Sequence, residues 1–116
     1  MLTNFGKALR KIRIDHNELL KDMAAHLNVT VAYLSAVENG KREVPDNWIR
    51  ILVEAYDLSS EETRALQSFA YEDKSYIKID FNGIKAQERE LALAFARSLK
   101  SLSDEDMKTL TEFFDR

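Results

Sequence analysis

This sequence predicts a mainly all-α protein: a five-helix bundle, then one β-strand and two further helices. Three observations lead there. One Pro and three Gly in 116 residues leave little turn material for a multi-stranded sheet. Apolar residues recur at three-to-four spacing in segment after segment. Polar residues able to cap a helix stand at the heads of those segments, among them Asn4, Thr30, Ser59 and Ser103.

Asn4 is the expected cap of a first helix, with Phe5, Leu9 and Ile12 on one side of it down to about Ile14. Asn17 breaks the pattern and tolerates the left-handed backbone of a tight turn. A second helix follows with Leu20, Met23, Ala24 and Leu27 inward, and Asn28 stops it. Thr30 offers its hydroxyl to a third helix from Val31 to about Asn39, closed by Gly40. Pro45 and Asp46 start a fourth, with Trp48, Ile51, Leu52 and Ala55 as its inward stripe. Ser59 and Glu62 make a capping box for a fifth that buries Ala65, Leu66 and Phe69.

The character then changes. In "SYIKIDFNG", Ile77, Ile79 and Phe81 alternate with Tyr76, Lys78 and Asp80, which predicts a strand ended by the Asn82-Gly83 turn signal. A lone strand needs a partner. The economical partner is the same strand from a second copy, with Ile77, Ile79 and Phe81 as the dimer seam; the competing reading makes them plain intramolecular core. A helix from about Ala86 to Lys100 follows, with Leu91, Phe95 and Leu99 inward. Ser103 and Asp106 cap a last helix carrying Met107, Leu110, Phe113 and Phe114. Two regions result: 1–72 as the bundle and 73–116 as a dimerisation appendage.

Composition narrows the classes. With 45% hydrophobic and 32% charged residues the chain reads as globular, without a membrane span or a secretory signal, hence cytoplasmic. No Cys is present, so disulfides and thiolate chemistry are excluded. The net charge of −3 divides unevenly: eight basic against six acidic residues over 1–50, nine against fourteen over 51–116. That basic front is compatible with a polyanion without deciding for one.

The third helix says more. At about 100° per residue, Val31, Ala32, Ser35, Ala36 and Asn39 share one face, while Leu34 and Val37 form a core edge and Tyr33 flanks them. A solvated face would carry Glu, Lys or Gln. This one carries short side chains, which suit close approach by another body.

At these residues the chain resembles the lambda-repressor-like helix-turn-helix family (Xre/Cro/CI type: phage repressors and antitoxins). The resemblance covers roughly residues 4–72 and rests on Arg13, "LKDMAAHLNVT", "VAYLSAVENGKR" and Pro45. It implies that the third helix enters the major groove of double-stranded DNA and that a homodimer spaces two such helices about one turn apart. Val31, Ala32, Tyr33, Ser35 and Ala36 then take the groove-facing positions. Lys21, Thr30, Asn39, Lys41 and Arg42 take the phosphate-facing ones, although Lys41 and Arg42 also read as a solvated pair. Arg13 and Glu38 match a structural ion pair. One departure stands out: the family commonly begins its second helix with Ser or Thr followed by Gln, where this sequence has Leu19 and Leu20. The polar phosphate contact is lost there, leaving backbone N–H groups and Lys21.

The function so implied is a cytoplasmic, nucleoid-associated transcriptional regulator, a repressor, binding an inverted-repeat operator as a homodimer. The alternative is an antitoxin that neutralises a toxin protein and represses its own operon. No enzyme is expected, since no nucleophile stands beside a base in any recognisable pattern. No metal or cofactor is expected either: His16 and His26, with Asp15 and Asp22 nearby, read as surface residues rather than ligands.

Overall fold

The structure, a computed structural model, describes residues 1–72, 74 and 76–116. It divides into two compact units, Met1–Ile77 and Lys78–Arg116. Among the described residues it is all-helical: α1 (Asn4–Asp15), α2 (Leu20–Leu27), α3 (Val31–Glu38), α4 (Trp48–Tyr56), α5 (Ser60–Tyr71), α6 (Ala86–Ser98) and α7 (Asp104–Phe114), with one 3-10 turn at Leu99–Ser101. None of these helices is long and apolar enough to cross a membrane.

The first unit is built around one core. Leu9, Met23, Leu34, Val37, Trp48 and Leu52 are fully buried at its centre, supplied by four different helices. Each enters on the stripe that helical spacing gives it: Phe5, Leu9 and Ile12 from α1, Met23, Ala24 and Leu27 from α2, Leu34 and Val37 from α3. Both left-handed turns around α2 fall on Asn, at Asn17 (φ 55°) and Asn28 (φ 56°).

Several local expectations are corrected. The cap of α1 is Thr3, not Asn4: its Oγ1 accepts from the Gly6 N–H at 3.0 Å and donates to the Glu38 carbonyl at 3.1 Å. The Asn4 side chain instead donates to the Glu72 carboxylate at 3.1 and 3.2 Å. Helix α4 begins at Trp48 because the Pro45 carbonyl accepts the Trp48 N–H (3.2 Å) in a preceding turn. Its buried stripe runs Trp48, Leu52, Tyr56, so Ala55 is exposed and Ile51 only half-buried. In α5 the stripe is Leu66 and Ala70 with Phe69 half-buried, and Ala65 faces solvent.

The larger correction concerns the β-strand. Tyr76–Phe81 forms neither strand nor helix, and no strand occurs among the described residues; Ser75 lies outside them. Alternating apolar residues make a strand only when a neighbouring strand takes up the backbone N–H and C=O groups. Among the described residues the chain supplies none. The Asn82-Gly83 signal does form a turn, with Gly83 at φ 78°, the Ile84 N–H donating to the Phe81 carbonyl (3.1 Å) and the Asn82 N–H to Asp80 Oδ1 (2.9 Å). It leads into α6 rather than into a hairpin.

In the second unit, α6 and α7 stand where helical periodicity and the Ser103–Asp106 capping box put them. Their apolar residues are not inward. No residue of Lys78–Arg116 is buried: Leu91 is 72% exposed, Leu99 54% and Phe114 68%.

Candidate nucleic-acid interface

Helix α2 ends at Asn28, whose left-handed backbone turns the chain so that the Val29 N–H reaches the Ala24 carbonyl at 3.0 Å. Two residues later Thr30 caps α3, its hydroxyl accepting from the Tyr33 N–H at 3.1 Å. A three-residue link between two eight-residue helices is thereby fixed by local hydrogen bonds at both ends.

The orientation of α3 about its own axis is set from below. Leu34 and Val37 are buried, and so is Glu38 at 4% exposure. The Glu38 carboxylate pairs with the Arg13 guanidinium of α1: Nη1 meets Oε2 in a close ion pair and Nη2 donates to Oε1 at 3.2 Å. Arg13 Nη1 also lies 3.3 Å from Met23 Sδ of α2, so one cation ties three helices. Gly6 completes the seat. A Cβ there would stand 2.3 Å from the Glu38 carbonyl oxygen, so α1 and the end of α3 can meet only across a glycine.

What remains outward on α3 is short. Val31 and Ala32 are exposed, and Ser35 and Ala36 are half-buried. Tyr33 is more constrained than its flanking place in the sequence suggests. Its ring meets Trp48 edge-on at 6.0 Å, while the Arg42 guanidinium lies 5.4 Å from its centroid. Asn39 Nδ2 is engaged with the Ser35 carbonyl at 2.9 Å, and Gly40 (φ 76°) lets the Lys41 N–H close onto the Ala36 carbonyl at 2.9 Å. Lys21, Thr30, Lys41 and Arg42 are exposed.

At the head of α2, Leu19 has no capping side chain. The Leu19 N–H instead donates to Asp22 Oδ2 at 2.7 Å, half of a capping box. Leu20 packs against the core, whereas Leu19 is 63% exposed. Here the structure adds residues that the sequence reading missed. Arg10, Ile14 and Leu19 join Ser35 and Asn39 in lining a groove of about 410 Å³ between α1, α2 and α3. The available signal was the one-turn spacing of Arg10 and Ile14 on the side of α1 opposite its core stripe.

The two histidines occupy a different cluster. The rings of His16 and His26 meet Tyr56 edge-on at 5.0 and 5.2 Å, and Tyr56 donates to Glu18 Oε1 at 2.6 Å. That bond is the main influence holding the Glu18 carboxyl below its usual range; burial opposes it and the hydrogen bond from His26 adds to it. Burial first, and then the bond to Glu18, push the Tyr56 hydroxyl well above the ordinary tyrosine value. The cluster joins α2 to α4.

Two helices joined by a short capped turn, the second packed on one side and bare on the other, form a helix-turn-helix. The helix-turn-helix domain family matches residues 4–66, more than half of the chain. This chain belongs to that family. It is a helix-turn-helix protein of the DNA-binding, regulatory kind. No curated protein and no solved structure matches it.

Proposed function

We propose that this helix-turn-helix protein is a cytoplasmic transcriptional repressor of the Xre/Cro/CI type that binds an inverted-repeat operator as a homodimer. The single observation that carries the reading is the asymmetry of α3. Its core edge is locked by Leu34, Val37 and the Arg13–Glu38 pair, and its other side presents Val31, Ala32, Ser35 and Ala36 amid exposed cations.

Each group has a definite part. Val31, Ala32 and Ala36 contact thymine methyl groups, and Ser35 bonds to base edges. None of these discriminates as a bidentate Arg–guanine pair does, so groove shape supplies much of the selectivity. Lys21, Lys41 and Arg42, with the Thr30 and Asn39 side chains, set the register on phosphate. Arg42 is held over Tyr33, which stiffens it for that role. Ile77 and Ile79, 71% and 61% exposed, and the half-buried Phe81 contribute to the contact between copies.

The test is footprinting of the purified protein on DNA flanking its own gene, beside Ala36→Glu. The wild-type chain is expected to protect two half-sites about one helical turn apart. The Ala36→Glu chain is expected to protect nothing while melting as wild type does, because the new carboxylate would face phosphate and base edges. Operator binding unchanged by Ala36→Glu refutes the assignment of this face.

A further inference from the structure

We propose that the groove between α1, α2 and α3 seats one strand of the DNA sugar–phosphate backbone, with Arg10 binding a phosphate and Ile14 and Leu19 packing on the adjoining deoxyribose. This deepens the DNA reading above and rests on it, while adding three residues to which that reading gives no part.

The charge of the groove is available for such a contact. Two arginines and two glutamates line it. Arg13 and Glu38 are buried and spent on each other. Glu18 is also engaged: one carboxylate oxygen accepts from the Tyr56 hydroxyl at 2.6 Å, and His26 Nε2 lies 3.2 Å from the other. Arg10 is exposed and has no ion-pair partner among the described residues. A guanidinium in that state suits a phosphate, whose oxygens it can meet with two parallel N–H donors.

Position selects the duplex as the source of that phosphate. Ser35 and Asn39 of α3 line the same groove. At about 100° per residue, these two lie on the side of α3 that turns toward Glu38 and so toward α1, whereas Tyr33 and Ala36 lie on the side that turns toward Val37. A helix with its side chains is about 10–12 Å across and the major groove about 12 Å wide, so each edge of α3 meets one backbone strand. Arg42, held over Tyr33, stands at one edge. Arg10 stands at the other.

The apolar residues fit the same occupant. Ile14 and Leu19 are 67% and 63% exposed, side by side in a groove that also holds a free cation. Deoxyribose presents carbon to them, and packing there removes water from beside Arg10, which strengthens its attraction to phosphate. Leu19 stands where the resembling family carries a polar group that bonds to phosphate. Here an apolar wall on α2 and a cation on α1 divide that task.

The test is fluorescence anisotropy across a salt series with two labelled duplexes, one from the DNA flanking the gene and one of random sequence. A phosphate contact acts on both. Arg10→Met keeps the aliphatic stem and removes the charge. It is expected to weaken binding to each duplex by about 10-fold and to flatten the log–log salt slope by about 1 per chain bound. Arg10→Lys should keep the slope. Lys7→Ala, an equally exposed cation of α1 that does not line the groove, should also keep it. Leu19→Glu places a carboxylate against the backbone and should weaken binding at least as much as Arg10→Met. All four variants should melt as wild type does, since the changed side chains are exposed. An unchanged slope in Arg10→Met overturns the proposal, as does a Lys7→Ala slope reduced as far, which would reveal a diffuse field in place of a contact. Normal binding by Leu19→Glu overturns it too. An operator footprint that survives in Arg10→Met with its slope intact removes Arg10 and leaves the DNA reading standing. Arg10-dependent binding to both duplexes without a footprint supports the contact and rejects sequence-specific recognition. A wild-type chain that binds neither duplex overturns both.

Discussion

The pair formed by Arg13 and Glu38 should dominate the response of the first unit to mutation. Its side chains are only 9% and 5% exposed. Glu38→Ala removes both carboxylate acceptors from the guanidinium and leaves it with Met23 Sδ at 3.3 Å, a weak substitute. Removing one member of a buried ion pair costs about 3–5 kcal/mol, most of it the stranding of the other charge. For a unit of this size that corresponds to a fall in Tm of roughly 15–25 °C. Removing both charges should behave differently. Arg13→Met with Glu38→Leu fills the site with apolar atoms and should return the chain to within about 1 kcal/mol of wild type, since replacing a buried pair by well-packed apolar residues is often neutral. Thermal and urea unfolding of wild type, Glu38→Ala and the Arg13→Met/Glu38→Leu double variant provide the assay. A Glu38→Ala cost below about 1 kcal/mol would refute the reasoning, for it would mean that water reaches the guanidinium in solution.

Three further outcomes follow from single contacts. Gly6→Ala places a methyl group 2.3 Å from the Glu38 carbonyl, so α1 must shift on α3; a loss of about 2 kcal/mol or more is expected by urea unfolding, and an unchanged midpoint contradicts the close approach. Tyr56→Phe removes the hydroxyl bonded to Glu18 and should cost about 1 kcal/mol at pH 7. Glu18 titrates below 4.5 in the fold, so its contribution is present above that value and lost as pH falls through the folded pKa; Tyr56 titrates above 10.0, so its contribution is present below 10.0 and lost as pH rises past it. The difference between wild type and Tyr56→Phe should therefore narrow at both extremes, and a constant difference from pH 3 to pH 11 rules the coupling out. Lys41→Ala, exposed and lacking a protein partner at its ammonium among the described residues, should weaken operator binding at all sites alike and flatten the salt dependence by about 2 in log–log slope per dimer; an unchanged slope removes Lys41 from the phosphate contacts.

What could be read in the sequence was whatever is settled within one turn of chain. Thr30, Ser59 and Ser103 cap their helices because cap and recipient amide are three residues apart, a relation that spacing alone displays. Gly6 could not be read, because its constraint comes from Glu38, remote in sequence and adjacent only after folding. Tyr56 was passed over for Ala55 because both lie within reach of the same stripe and only packing chooses between them. The expected strand at Ile77–Phe81 and the expected inward faces of α6 and α7 share a deeper cause. Alternation and helical periodicity say which residues belong together on a side, and they are silent on whether the chain holds anything to cover that side. On α3 the same silence worked the other way. Once Leu34, Val37 and Glu38 are assigned to the core, the residues opposite them are short, exposed at Val31 and Ala32 and half-buried at Ser35 and Ala36, and none is a hydrated side chain of an ordinary surface. The DNA contact proposed for this face rests on that bareness, with exposed Lys21, Lys41 and Arg42 proposed to meet phosphate.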